Sequence, residues 1–223
     1  MSDIELARLN MVESQVRPSD VTDRRIMRAM SELPRDEFVP GSMRSMAYMD
    51  EDILIQPGSA DSVARYLMAP RIFAKLVQLA EVAPGDVVLD VGCGSGYSIA
   101  VLSQLCESVV GIEEDQDLVN RAAKNFSELG IDNAVVLHSG HKDGKADEAP
   151  YDVIFMNGCI PEKPDALLEQ LKDRGRLVTV IASGGVGKAY LFKRVGDNVS
   201  GRPAFDAAVP VLPGFEKAKE FVF

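Results

Sequence analysis

The sequence predicts an α/β protein: a doubly wound, mainly parallel sheet of about seven strands that ends in an antiparallel C-terminal hairpin and follows a helical N-terminal extension. Three observations predict it. From Pro84 onward, short apolar runs alternate with stretches of helical period, as in βαβ units. The period-two signal within each run is short, as expected of strands buried on both faces. A glycine-rich turn joins the first run to the first helical stretch, whereas residues 1–80 lack this rhythm and read as helical with an irregular middle. The expected division is therefore 1–80 for the extension and 81–223 for the sheet domain.

In the extension, Asp20 or Thr22 can cap a helix whose apolar face is Ile26, Ala29, Met30 and Leu33, and Pro34 stops it. The stretch Phe38–Val63 mixes Gly, Pro, Met and acids without a period, so it reads as loop with one short strand at Ile53–Ile55. A second helix starts near Pro70, with Ile72, Leu76, Leu79 and Ala80 on one face. Val87–Val91 opens the sheet, followed by a helix around Ser98–Leu105 and a strand at Val109–Ile112. The next helix places Leu118, Ala122, Phe126 and Leu129 on one face and ends at Gly130. Ala134–Leu137 and Val153–Met156 continue the strands. Ala166–Lys172 reads as helix, Arg176–Ile181 as strand, and Ala189–Val195 and Ala207–Leu212 as the final antiparallel strands.

Composition narrows the function. A formal net charge of −10 argues against general affinity for phosphate backbones, so no nucleic-acid partner is expected, and the acidic excess reads as solubility. No apolar run approaches the roughly 18–20 residues that span a bilayer, and Met1–Val12 lacks the apolar core of a secretory signal. A cytoplasmic protein without a membrane partner is expected. Cys93, Cys106 and Cys159 form no CxxC pair and the only histidines are His138 and His141, so neither a zinc site nor a disulfide framework is expected.

The chemistry concentrates in the turn after the first strand. Residues 87–97 read Val-Val-Leu-Asp-Val-Gly-Cys-Gly-Ser-Gly-Tyr, with Gly92, Gly94 and Gly96 on a GxGxG spacing. Glycine there permits positive φ and close approach of a ligand, and free amides at the following helix start hold polar ligand atoms. A tight turn alone can require such glycines. Two acids add weight. Asp90 ends the first strand, where its carboxylate can meet the ammonium group of an amino-acid ligand. Glu113 ends the second strand, about twenty residues on, where acids commonly take ribose hydroxyls; the plainer reading is a solvated acid beside Glu114 and Asp115. The dinucleotide fingerprint GxGxxG makes room for a pyrophosphate, and the tighter spacing here suits a nucleotide without phosphate, such as S-adenosylmethionine. A P-loop is excluded, because no Gly-Lys-Ser/Thr follows. The expected cofactor contacts are Asp90, Gly92, Cys93, Gly94, Ser95, Gly96, Glu113 and Glu114.

With these residues in place, the chain resembles Rossmann-like, class I S-adenosylmethionine-dependent methyltransferases, and more narrowly the protein-L-isoaspartate O-methyltransferase family. Asp36–Pro40 (DEFVP) is similar to that family's PRExFV segment, and Ala47–Asp50 (AYMD) to its AYxD. Val88–Ala100 follows its VLEIGTGSGYxxA, with Asp90 and Cys93 as departures. Ile112–Glu113 corresponds to its ribose-binding IE, Tyr151–Ile154 to its FDxI, and Leu167–Val178 (LLEQLKDRGRLV) to its LxxQLxxGGxLV. The resemblance implies methyl transfer from S-adenosylmethionine to a carboxylate of isoaspartyl residues in damaged proteins, with residues 1–80 supplying a loop on the substrate side.

Two segments depart from the family. Its GQTISxP loop, whose serine or threonine is implicated in catalysis, aligns on Ala64–Pro70, so the serine position becomes Met68, which offers no useful hydrogen bond. Ser59 or Ser62 can fill the gap by another path. Arg65 and Tyr66 are the obvious substitutes, Arg65 as a bidentate clamp on a carboxylate; otherwise both pack on the surface of a re-purposed loop. The family's GDG, which carries an acid near the adenine, becomes Gly140-His141-Lys142 with Asp143 one step late. His141 then hydrogen-bonds adenine, Asp143 swings in, or His141 is a surface residue of a polar loop. The changed acceptor segment leaves two other readings open: a methyltransferase of the same fold with a different acceptor, and a cofactor-binding regulator without catalysis.

Overall fold

Short apolar runs from Val87 onward hydrogen-bond into one seven-stranded sheet of a computed structural model that describes residues 2–59, 63–182 and 185–216. Its strands are β3 (Val87–Val91), β4 (Ser108–Glu113), β5 (Ala134–His138), β6 (Tyr151–Ile160), β7 (Leu171–Ile181), β8 (Lys188–Val195) and β9 (Asn198–Asp206), after β1 (Ile53–Gln56) and β2 (Arg65–Leu67). The order is β5-β4-β3-β6-β7-β8-β9. Its first five members are parallel, and β8 and β9 close the edge antiparallel, the doubly wound Rossmann-like arrangement expected. Alternate residues of β3 enter opposite cores: Val88 packs with Val153 and Val178 on one face, Leu89 and Val91 with Ile112 and Ile154 on the other. Burial of both faces accounts for the continuous apolar runs.

The N-terminal residues join the first of these cores. Helix α1 (Asp3–Met11) begins in a capping box in which Ser2 and Glu5 satisfy each other's backbone amides. Helix α2 (Arg24–Glu32) buries Ile26, Met27, Ala29 and Met30 as the apolar spacing predicts. Its cap is Asp23 rather than Asp20 or Thr22: the Asp23 carboxylate accepts from the Arg25 amide, while Asp20 takes a left-handed φ of 64° and the Thr22 amide donates to Gln78 Oε1. Helix α3 (Pro70–Ala80) starts at its proline, but its buried face is Phe73, Ala74, Leu76, Val77 and Ala80; Ile72 and Leu79 sit at its margin.

Three elements differ from expectation. The strand expected at Ile53–Ile55 is present, and it pairs antiparallel with β2, a strand the aperiodic sequence around Arg65 did not announce. Helix α6 covers only Asp165–Leu168, not Ala166–Lys172. The Gln170 side chain takes the carbonyls of Ala166 and Asp143, and the Tyr151 amide takes the Gln170 carbonyl, so β7 already begins at Leu171. The last strand is β9, not Ala207–Leu212. Gly196 and Asp197 form a two-residue turn that returns the chain along β8. Residues 210–212 instead lie beside the end of β6, where the register of β6 and β7 shifts between Phe155 and Cys159. There the Cys159 amide donates to the Pro210 carbonyl at 2.9 Å and the Leu212 amide to the Cys159 carbonyl at 2.9 Å. This return carries Leu212 to the carboxyl end of β3.

Helices α4 (Tyr97–Ser103) and α5 (Gln116–Leu129) follow β3 and β4, and Gly130 ends α5 in a left-handed cap. No helix among the described residues is long and apolar enough to cross a membrane.

Candidate functional site

Strands β3 and β4 run side by side, with Asp90 opposite Gly111 and Val91 opposite Ile112. The glycine turn and Glu113 therefore leave the sheet as neighbours at its carboxyl edge, the place where open α/β sheets bind ligands. The turn is tied down by the Gly92 amide, which donates to the Ile112 carbonyl at 2.9 Å. Gly92, Gly94 and Gly96 have φ of 74°, 57° and 96°, a region that strains any residue with a Cβ. At Gly96 a Cβ would also lie 2.6 Å from the Phe126 ring of α5, so this glycine is needed for helix packing whatever the ligand.

Glu113 is fully buried and its carboxylate is the hub of the site. Oε2 accepts from the Gly94 amide at 2.8 Å and from Arg65 Nη2 at 3.0 Å. Oε1 accepts from the Glu114 amide at 3.0 Å and lies 3.4 Å from His141 Nε2. Burial by itself raises a carboxyl pKa. The Arg65 guanidinium and His141 outweigh it and hold Glu113 at about 2. It is not the solvated strand-end acid that its neighbours Glu114 and Asp115 suggested.

Arg65 comes from β2. Besides Glu113, its Nη2 donates to the Gly92 carbonyl at 2.7 Å, and its buried Nε has no hydrogen-bond partner. The guanidinium expected on an acceptor carboxylate is thus placed on the chain's own cofactor-side acid. Tyr66 stands half-buried opposite Leu54, and Met68 is buried with its carbonyl accepting from Arg35 Nη2 at 2.8 Å. Ser59 lies exposed after β1, and Ser62 falls outside the described residues.

His141 is fully buried, not a surface histidine. Its amide donates to Glu114 Oε1 at 2.8 Å and its Nδ1 pairs with the Pro213 carbonyl at 3.0 Å. It thereby binds the 213–214 segment to the two glutamates. Beside them opens a cavity of about 320 Å³ lined by Arg65, Glu113, Glu114, Asp115 and Gly214. Ser95 Oγ donates to the Phe38 carbonyl, and the Cys93 thiol is buried and pushed well up by that burial, so both side chains serve the packing of the turn.

Asp90 is also fully buried. It accepts from Ser98 Oγ at 2.5 Å and from Asn157 Nδ2, a β6 residue that the sequence reading missed. A polar Asn between Met156 and Gly158 in an otherwise apolar strand is the signal that marks it. Burial, resisted by these hydrogen bonds, pushes the Asp90 carboxyl up to about 7. A raised folded pKa means that the folded state binds the extra proton between the ordinary value of 3.8 and about 7. The stabilisation is complete below that window and is lost as pH rises through it, roughly 4 kcal/mol as an order of magnitude. Asp90→Asn removes this dependence. Its stability relative to the unsubstituted chain is expected to rise by a few kcal/mol between about pH 4 and pH 8 in urea titrations; a pH-independent difference would contradict the protonation of Asp90.

The groups for a phosphate-free nucleotide are in place: a glycine turn with positive φ, an ionised acid at the next strand end and a second acid at the turn's base. The space in front of them is filled by the chain. A Cβ on Gly92 would lie 2.3 Å from Leu212 Cδ1 and 3.1 Å from Arg65 Nη2, and one on Gly94 would lie 2.7 Å from Ile55 Cδ1. Between Arg65, Tyr66, Met68, Asn157 and Pro210 only about 10 Å³ is open.

Comparison with known proteins gives a consistent picture. The family model for protein-L-isoaspartate(D-aspartate) O-methyltransferase matches residues 8–208. A protein-L-isoaspartate O-methyltransferase of Koribacter versatilis is 34% identical over 189 residues, 85% of this chain and 82% of the relative. One of Opitutus terrae is 33% identical over 204 residues, covering 92% and 84%. A solved protein-L-isoaspartate O-methyltransferase superposes with a TM-score of 0.80 at 26% identity, over 93% of this chain and 66% of that one. A putative one from Plasmodium falciparum, in complex with S-adenosyl-L-homocysteine, shares the fold with a TM-score of 0.76 at 21% identity, over 92% and 97% of the two chains.

Proposed function

This chain belongs to the protein-L-isoaspartate(D-aspartate) O-methyltransferase family, and on that premise we propose that it transfers a methyl group from S-adenosylmethionine to the carboxylate of isoaspartyl residues in proteins. The observation that carries the reading is the glycine turn at 92–96 set against the buried, ionised Glu113 at the neighbouring strand end. Glu113 would hold the ribose hydroxyls, the glycine turn would admit the ligand close to the backbone, and Asp90 with Asn157 would meet its amino-acid end. Glu114 lines the open cavity, and His141 lies buried behind it against both glutamates. The cofactor supplies an electrophilic methyl carbon on a sulfonium.

The chain's own contribution is orientation and exclusion of water. An isoaspartyl carboxylate has a pKa near 4 and is already ionised at neutral pH, so no general base is required. Met68 in the family's serine position removes a polar anchor without removing a proton acceptor. Residues 1–80 form the acceptor side in this reading and 81–223 the cofactor domain. Three free cysteines suit a reducing cytoplasm.

The test is transfer of labelled methyl from S-adenosylmethionine to an isoaspartyl peptide and its normal aspartyl counterpart. A base-labile methyl ester on the isoaspartyl peptide alone is expected. Met68 favours one competing reading, a methyltransferase for another acceptor. Labelling of some other acceptor, with none on the isoaspartyl peptide, would establish that reading instead.

A further inference from the structure

The space that the cofactor needs is held by the chain itself, and in a specific way. The ribbon of β1 and β2 lies across the glycine turn, with Ile55 over Gly94 and Arg65 over Gly92. The return at 210–214 lies over the same turn, with Leu212 beside Arg65 against Gly92 and its backbone within 3.1 Å of a Cβ on Gly158. The two arms meet at Glu113: Arg65 donates to it from the ribbon, and His141, which grips the Pro213 carbonyl, faces it from beneath the return.

This arrangement leaves room on one side of Glu113 and closes the other. About 320 Å³ is open beside Glu113 and Glu114, against about 10 Å³ on the side of Asn157, where Asp90 lies. A nucleoside bearing an amino-acid tail needs both sides at once. Its ribose hydroxyls and the Arg65 guanidinium also need the same carboxylate oxygens.

We propose that Arg65 and Leu212 form a latch over the cofactor cradle, so that S-adenosylmethionine binds only as Arg65 leaves Glu113 and the β1–β2 ribbon and the 210–214 return swing away from the glycine turn. The proposal rests on the cofactor reading given above. Three features make the latch releasable. Arg65 is buried with Nε unpartnered, so moving it to water restores hydration to a cation that the closed state satisfies only in part. The ribbon is a two-stranded element of its own, outside the seven-stranded sheet. Among the described residues, the return at 210–214 joins the sheet through one isolated bridge, between Cys159 and Val211. When the guanidinium leaves, the ribose hydroxyls replace it as donors to Glu113, which keeps that buried carboxylate satisfied in both states.

A ligand that binds only the released state has its apparent affinity lowered by the fraction of molecules released. Removing the latch therefore tightens binding. Calorimetric titration with S-adenosylhomocysteine is expected to show Arg65→Ala and Leu212→Ala each binding about tenfold or more tightly than the unsubstituted chain. Hydrogen exchange on the unsubstituted chain gives an independent readout should Arg65→Ala fail to fold. The ligand is expected to speed exchange of the amides in 53–56, 65–67 and 211–212 while slowing those of 92–98. Binding by the unsubstituted chain with no gain in either variant, or slower exchange in the ribbon and return, would overturn the latch and leave the cofactor reading standing. No binding by any of the three proteins would overturn both. Binding by the variants alone would establish the latch in its strongest form.

Discussion

Arg35→Ala is expected to destabilise the protein by about 3–5 kcal/mol, because it leaves two buried carbonyls without donors. Arg35 is fully buried in the turn after α2. Its Nε donates to the Ala47 carbonyl at 2.7 Å, its Nη2 to the Met68 carbonyl at 2.8 Å, and its guanidinium stands 4.8 Å from the Tyr97 ring centroid. Burial pushes its pKa down, and the Tyr97 hydroxyl and Asp52 act against that. One side chain thus ties the irregular segment after α2 to the strand segment carrying Arg65, with Tyr97 of the glycine-turn helix packed beneath. Arg35→Lys keeps the charge but cannot span both carbonyls with a planar fork, so an intermediate loss is expected. Denaturant titration measures both, and a loss under about 1 kcal/mol for the alanine variant would contradict the role given to Arg35.

Glu113→Gln carries the second large effect, on binding and on stability together. The substitution removes the charge that holds Arg65 and would accept the ribose hydroxyls. A net loss of S-adenosylhomocysteine affinity on the order of 10-fold is expected, because losing one or two charge-assisted hydrogen bonds costs on the order of 100-fold and freeing Arg65 returns about tenfold of it. For stability, the folded pKa of about 2 lies below the ordinary 4.5, so the unfolded chain binds the proton first as pH falls. The stabilisation is complete above about pH 4.5 and is lost as pH drops through 2; at neutral pH it is about 3 kcal/mol. The unsubstituted chain should therefore exceed Glu113→Gln at neutral pH by that order, with the gap closing toward about pH 2. A gap that stays constant across this range would place the stabilisation elsewhere.

Glu113 was legible in the sequence because strand ends and glycine turns carry their own signals: an apolar run, a GxGxG spacing and an acid one strand later. β3, β4 and β6 were legible for the same reason, as largely buried apolar runs, and β5 as a short apolar run although it is a partly exposed edge strand. What stayed hidden depends on long-range packing. β9 is mostly exposed and polar, so hydrophobic patterning could not find an edge strand held by its hairpin turn. β2 is only three residues long and has meaning only through its pairing with β1. The sequence shows Arg65 as a cation near an acceptor segment; only the fold brings it to an acid 48 positions away. Leu212 reads as strand by composition, whereas the opening between β6 and β7 seats it beside Gly92. His141 follows the same pattern: a polar loop position in sequence, a fully buried link between two glutamates and the C-terminal return in the fold.

The most direct measurement of the whole account is a crystal structure of the chain with S-adenosylhomocysteine. The predicted result places the ribose hydroxyls on Glu113, the amino-acid tail toward Asp90 and Asn157, and Arg65 away from the carboxylate that it now meets at 3.0 Å. A ligand seated elsewhere, or one bound with the Arg65–Glu113 pair and Leu212 unmoved, would contradict it.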